Sequence, residues 1–262
     1  MIAPTLEKTL QENSSFHYSL WHKGKWQELP KEDPFYDVFR WIKTSVERIK
    51  TINPELYNAA TQGPKPLIDI SLRLDENRLA QCFIKEDKRN LEIFFEPNNV
   101  MNMLGTLKTD EDKISCLTYL VAHEMAHARQ GQLGNVLYVL EKDKGKAPTI
   151  EQEIAMEVDA TAVGIATAHK SGLTPSAKDV LKEWFKGLIP NLGIILDSGK
   201  KSQEIEKNIF KEDLKNRISY YRKRGSEVKS FSFELQNIVQ YPDILLRYNK
   251  SYPSVLVKGK QK

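Results

Sequence analysis

Two imidazoles four residues apart, with a carboxylate beside the first, are the side chains of this sequence best spaced for chemistry: His123-Glu124-Met125-Ala126-His127. An α-helix turns once in about 3.6 residues, so side chains at i and i+4 stand one above the other on one face. His123 and His127 can therefore reach a single metal ion from one rigid rod. Glu124 follows the first imidazole, where it can hold a water polarised by that ion and take its proton. Ligand, base and ligand in this order point to zinc. The competing reading is a buried helix whose two histidines are hydrogen-bonded core residues.

The segment that must carry the motif, Lys113–Gln130, reads as an amphipathic helix with Ile114, Leu117, Leu120 and Val121 towards the core. Thr109-Asp110-Glu111-Asp112 supplies a capping residue and acids at its start, where the helix dipole favours negative charge. Gly131 and Gly134 mark its end. Val121, Ala122, Ala126 and Ala128 leave room for close packing around the histidines.

Two histidines leave a catalytic zinc one protein ligand short, the fourth position being water. The candidate for it lies in a second helix, Ile150–Lys170, with Thr149 as cap and Gln152 three residues on. Its apolar stripe is Ile150, Ile154, Val158 and Ile165; Glu157 borders that stripe, Glu153 lies one step further out and Asp159 falls nearly opposite. A carboxylate beside an apolar stripe is costly unless something pairs with it. That favours Glu157 as the third ligand and leaves Asp159 as a solvated charge. The rival register makes Glu153 the ligand and Glu157 the carboxylate that orients a histidine.

The two helices together resemble gluzincins, zinc peptidases with H-E-x-x-H on one helix and a glutamate ligand on a later one. HtpX-like membrane peptidases and Lit-like phage-exclusion peptidases are examples. Glu157-Val158-Asp159-Ala160, with Gly164 seven residues after Glu157, is similar to their glutamate motif in the glutamate, the following acid, the alanine and the small residue. Thr161 departs from it, standing where those families place an aspartate that orients the first histidine. The resemblance covers about fifty residues. It implies a zincin-like core with a sheet before the first metal helix, and an edge strand that holds an extended substrate by main-chain hydrogen bonds. The Lit-like resemblance implies one host protein as target.

The 262 residues, 40% hydrophobic, suffice for one sizeable core with an appended subdomain. Met1–Asn13 is polar without the apolar stretch of a signal peptide, and no run is long enough to cross a membrane. Cys82 and Cys116 lack metal-type spacing and read as buried reduced thiols. These features lead to the expectation of a soluble, cytoplasmic protein.

Three regions are expected. In residues 1–66, Phe16–Trp21 and Trp26–Leu29 form a hairpin carrying the exposed His17 and His22. A helix starts at Asp33-Pro34 and runs to about Lys50, a shorter one starts at Asn53-Pro54, and Gln62–Pro66 breaks it; both pack on the core. Residues 67–190 are the zincin-like core. Leu67–Leu74, Arg78–Lys85 and Asn90–Phe95 read as an antiparallel meander, Pro97-Asn98-Asn99 ends the last strand, and Val100–Leu107 bridges to the motif helix. Val136–Leu140 and the charged Glu141–Lys146 loop join the metal helices, and a helix from Thr174-Pro175 to about Leu188 follows, ended by Pro190–Gly193. His169 lies too far along its helix from Glu157 to share a metal.

Residues 191–262 are the C-terminal helical extension. Gly199–Lys229 carries ten basic and five acidic residues, and Ile205, Ile209, Phe210, Leu214, Ile218 and Tyr221 recur at helical spacing. Its basic outer face reads as solvated, because no nucleic-acid fold signature accompanies it. Phe231–Tyr252 packs back on the core and Val257–Lys262 frays.

The expectation is an α+β, mostly helical protein with a small sheet before the motif helix. It is a peptidase that hydrolyses a protein or peptide substrate with one zinc ion held by His123, His127 and Glu157 and with Glu124 as base. Tyr220, Tyr221 and Arg217, on one helix, are candidates to stabilise the oxyanion. Nucleic acid and membrane are not expected as partners, and nothing sets the oligomeric state. The alternative is a peptidase-like domain that no longer cleaves and serves as a binding or regulatory module, which Thr161 and the basic segment favour.

Overall fold

A computed structural model describes residues 16–22, 25–27, 31–61, 68–74, 78–84, 91–132 and 150–225. Along the chain these form β1 (Phe16–His22), β2 (Lys25–Gln27), α1 (Tyr36–Ile52), α2 (Pro54–Thr61), β3 (Ile68–Arg73), β4 (Ala80–Ile84) and β5 (Leu91–Phe95). Then follow α3 (Pro97–Leu104), α4 (Asp110–Gln132), α5 (Ile150–Lys170), α6 (Pro175–Phe185), α7 (Leu192–Asp197) and α8 (Ser202–Lys223). The architecture is α+β: a mostly helical body with one small mixed sheet.

The sheet has the order β2-β1-β3-β5-β4. β1 and β2 form the expected antiparallel hairpin, and β1 pairs parallel with β3. The expected meander is absent. β5 inserts between the other two strands of that region, parallel to β3 (Ile70↔Ile93) and antiparallel to β4 (Cys82↔Ile93). The reason lies in composition. All five residues of β5 are buried, as an inner strand covered on both faces requires, so the more polar β4 is left on the edge. Ile70, Leu72, Cys82, Leu91, Ile93 and Phe95 join the core shared with the helices. On the opposite face Glu92 is buried and accepts from Ser71 Oγ at 2.6 Å and Arg73 Nε at 2.8 Å. The Arg73 guanidinium lies over the rings of Phe83 and Phe94.

Helix boundaries follow their caps. The Asp33 carboxylate accepts from the Phe35 amide, and α1 begins at Tyr36, two residues beyond the Pro34 start expected. Asn53 Oδ1 accepts from the Leu56 amide at the start of α2. Pro97 does not end a strand into a bridge. Glu96 is an N-cap that accepts from the Asn99 amide at 2.6 Å, Pro97 is the first helical residue, and α3 results. α6 ends at Phe185, short of the Leu188 expected, and α7 starts at Leu192, inside the break expected at residues 190–193. Thr174 caps α6, and α8 ends before Gly225, whose φ of +80° suits glycine. Thr149, Gln62–Pro66, Val136–Leu140, Glu141–Lys146, Phe231–Tyr252 and both chain ends lie outside the described residues.

α4 is the centre of the molecule. From Ile114 to its end every residue is buried, so the single apolar stripe expected is too narrow. α1 and α2 pack on one part of its surface, α5 on another, and β4, β5 and α6 on the remainder. Ala122, Ala126 and Ala128 leave the space for these neighbours to close in. α5 is covered in turn by α4 and α8. The cores of the helices and the sheet form one cluster from Val38 to Leu214, and Cys82 and Cys116 are free thiols within it. No helix among the described residues is long and apolar enough to cross a membrane.

Candidate metal centre

Thr109 holds the start of α4: its hydroxyl accepts from the Asp112 amide and donates to the Asp112 carboxylate, with Asp110 and Glu111 beside it. This fixed helix presents His123 and His127 one turn apart. Their rings are edge to face, with centroids 4.8 Å apart and Nε2 atoms 3.2 Å apart. From α5 the Glu157 carboxylate meets both, Oε1 at 3.4 Å from His127 Nε2 and Oε2 at 3.6 Å from His123 Nε2. These three side chains form a group that could hold a metal ion, and Glu153 is not part of it. The cluster opens on the carboxylate side: the Glu157 side chain is 44% exposed, the imidazoles 11% and 9%.

Behind His127 lies a relay. Gln130 donates through Nε2 to Asp159 Oδ2 at 2.9 Å and to the Met156 carbonyl at 3.2 Å. Its Oε1 therefore faces His127 Nδ1, at 2.9 Å, and must accept from it, which leaves the Nε2 lone pair of the neutral ring for a metal. Arg129 Nη2 donates to Asp159 Oδ2 at 2.6 Å. Asp159 is fully buried, which corrects its assignment as a solvated charge. The helical wheel fails because α5 has neighbours on more than one side, and Arg129 supplies the charge that makes burial tolerable. Among the described residues His123 has no such relay: its Nδ1 and the hydroxyl of Thr161 are both buried without hydrogen-bond partners there.

Glu124 is buried next to the cluster and to the edge strand. Burial, with the nearby Glu157 charge, pushes its carboxyl up to about 7, against the opposing pull of His127 and the Cys82 backbone amide in β4. Burial, reinforced by His127, lowers His123 to about 3. Burial also acts to lower His127, but the facing Glu157 carboxylate outweighs it and raises that imidazole to about 9. Burial acts to raise Glu157, and the two histidines overcome it, holding the carboxyl well below the usual carboxylate range. In the metal-free protein near neutral pH the three groups thus share one proton, between His127 and Glu157.

Two further side chains border the cluster. Tyr119, one turn before His123, sets its ring 5.8 Å from the His123 ring. Arg217, on α8, donates through Nε to the buried Asp213 at 2.8 Å and lies within electrostatic reach of Glu157, Tyr119 and His123. Burial, partly offset by Arg217, pushes the Asp213 carboxyl up to about 6. Of the three oxyanion candidates only Arg217 is tied to the cluster. Tyr220 is exposed beneath the Arg224 guanidinium, and Tyr221 packs against the core. His169 points away, its Nε2 3.2 Å from the Leu196 carbonyl.

The residues that sequence reasoning did not single out are Tyr119, Arg129 and Gln130, and Asp159 it placed in solvent. Tyr119 had a signal, since it continues the His123 and His127 face one turn towards the helix start. Comparison with protein-family models, with curated proteins and with solved structures finds no match for this chain.

Proposed function

We propose that this chain is a zinc-dependent peptidase of gluzincin type, with His123, His127 and Glu157 as ligands and Glu124 as the proton carrier. The ligand triangle carries this reading. Ligand atoms of a tetrahedral zinc with bonds of roughly 2.0–2.1 Å lie about 3.3 Å from one another; the two imidazole Nε2 atoms are 3.2 Å apart, one Glu157 oxygen lies 3.4 Å from His127 and the other 3.6 Å from His123, and one ligand atom from each residue can be chosen so that all lie within 4.8 Å of one another. Two imidazoles and one carboxylate make a three-ligand set, as in catalytic centres, whereas structural centres close with four. When bound, zinc supplies Lewis acidity that polarises a carbonyl and brings a water's pKa near neutrality.

The chain's own residues do the rest. Glu124, with a carboxyl near 7, is matched to take a proton from the attacking water and deliver it to the leaving amine. Gln130 and Asp159 hold His127 in the tautomer that offers Nε2. Among the described residues β4 is one of the two edge strands of the sheet; it packs against α4, and its Cys82 amide lies next to Glu124. An extended peptide added along the edge that no described strand covers would run beside the cluster, the binding mode that the zincin-like resemblance implies. A protein or peptide substrate follows from this reading.

The test is metal analysis of the purified protein and of Glu124→Gln, with hydrolysis of denatured casein as the activity measurement. One zinc per chain in both proteins and proteolysis by the wild type alone are expected. A wild type that takes up no zinc, or a Glu124→Gln variant with activity within a few-fold of it, refutes the proposal.

A further inference from the structure

We infer that a cavity of about 580 Å³ on the far side of α5 binds a short zwitterionic peptide of two or three residues, and that its occupancy is passed to His127. The binding stands apart from the peptidase reading; only its consequence for a metal rests on that reading. Val163, Ala166, Thr167 and Lys170 recur at i, i+3, i+4 and i+7 on α5 and form the floor. That stripe is turned away from Glu157 and Gly164, which meet α4. α2 and the start of α8 make the walls, and hydrogen bonds tie both to the floor. Asn53 donates through Nδ2 to Thr167 Oγ1 at 2.9 Å while its Oδ1 accepts from the Leu56 amide, and Ser202 Oγ donates to the Ala166 carbonyl at 3.5 Å. Helices from distant parts of the chain thus enclose a space within the usual range of small-molecule sites, about 300–1,000 Å³.

The lining sets the class of ligand. Leu56, Val163 and Ala166 are buried and give the cavity an apolar side. Around it stand charges of both signs, Glu55 from α2, Lys170 from α5 and Lys207 from α8, and none of the three forms an ion pair among the described residues. A molecule with an ammonium at one end, a carboxylate at the other and an apolar side chain between them is complementary to all of these. Peptide hydrolysis makes molecules of this kind. Arg129 of α4 also lines the cavity, and it is the outer member of the relay to the metal cluster. It donates to Asp159 Oδ2 at 2.6 Å, the same oxygen accepts from Gln130 Nε2 at 2.9 Å, and Gln130 Oε1 meets His127 Nδ1 at 2.9 Å. A ligand carboxylate that draws on the Arg129 guanidinium leaves more of the Asp159 charge to Gln130, whose carbonyl oxygen then accepts more strongly from His127. Occupancy of the cavity therefore alters the ring that offers Nε2 to a metal.

The test is calorimetric titration of the full chain, zinc-loaded and metal-free, with glycyl-leucine, and with N-acetyl-glycyl-leucine amide, which lacks both charges. One dipeptide per chain is expected without metal, and the blocked form should bind at least about tenfold more weakly. Ala59→Phe, at an exposed residue of the cavity wall, should fill the space and abolish binding. Lys207→Met should weaken it by about tenfold or more, the usual effect of losing a hydrogen bond to a charged group. In metal-free protein carrying ¹⁵N-histidine, the His127 ring signals should move on saturation in the wild type and stay in place in Ala59→Phe. No binding to the metal-free chain overturns the site, and binding that needs zinc places the peptide at the metal instead. Affinity within twofold of wild type in Ala59→Phe, or equal affinity for the blocked peptide, overturns the site as well. Binding that leaves the His127 signals unmoved overturns the coupling. A chain that takes up no zinc fails the peptidase reading, and the metal-free titration still decides the cavity.

Discussion

If the ligand triangle binds zinc, the proton that it holds in the metal-free state must leave, and this sets how affinity depends on pH. The facing Glu157 carboxylate holds His127 up to about 9, so at pH 7 the imidazole is protonated in about 99% of molecules. His123, lowered to about 3, is already neutral and Glu157 is already ionised, so neither releases a proton between pH 6 and 8. Deprotonating His127 two pH units below its own value costs about 2.7 kcal/mol, roughly a hundredfold in apparent affinity. The sign is fixed: the proton competes with the metal, so affinity falls as pH falls and levels off above about 9. The expectation is a rise of at least about tenfold per pH unit from 6 to 8, with at least one proton released per zinc: the one on His127, and part of another from Glu124, whose carboxyl near 7 lies beside the added charge. Chelator competition at pH 6, 7 and 8 measures the first, and calorimetric titration at pH 7 in two buffers of different ionisation heat measures the second. Glu157→Gln removes the charge that raises His127, so proton release at pH 7 should fall by about three quarters of a proton or more, as for an imidazole near 6.5. An affinity flat from pH 6 to 8, or the release of well under one proton at pH 7, refutes this account of the cluster.

Two other expectations concern single substitutions. Glu157→Ala should strip most of the zinc from the purified protein, because two imidazoles alone bind it far more weakly, whereas Glu153→Ala should leave it near one per chain; metal analysis showing the reverse makes Glu153 the ligand. Gly164→Ala should destabilise the protein by about 2 kcal/mol, since a new Cβ within 3 Å of backbone puts the overpacking cost at the upper end of about 1–3 kcal/mol, against up to about 1 kcal/mol of gained helix propensity. The new Cβ would press on the Tyr119 backbone, which cannot give way as a flexible side chain can. Thermal unfolding should register a loss of a few degrees, and an unchanged or raised midpoint would mean that α4 and α5 are not so closely apposed.

What could be read from the sequence is what depends on neighbours along the chain. The H-E-x-x-H spacing is a property of one helix, so the convergence of His123 and His127 needs no tertiary information. Glu157 could be singled out because a carboxylate at the edge of an apolar stripe needs a partner, and the imidazoles of α4 face it. The start of α3 was equally local, since a glutamate, a proline and then an amide to cap stand at Glu96, Pro97 and Asn99. Reading the proline as the end of a strand hid that helix.

The remainder was hidden because its partners come from distant parts of the chain. A wheel drawn for α5 alone assigns one buried stripe and puts Asp159 in solvent, yet both α4 and α8 cover that helix. The partner that makes Asp159 tolerable inside is Arg129, thirty residues earlier on α4. Strand pairing has the same character. Short connections suggest a meander in chain order, but burial of β5 on both faces places it between β3 and β4. That choice is what leaves β4 on the edge. The edge beside Glu124 that no described strand covers, on which the proposed mode of peptide binding depends, is therefore a consequence of where the most apolar strand must lie. No spacing within the motif could have supplied it.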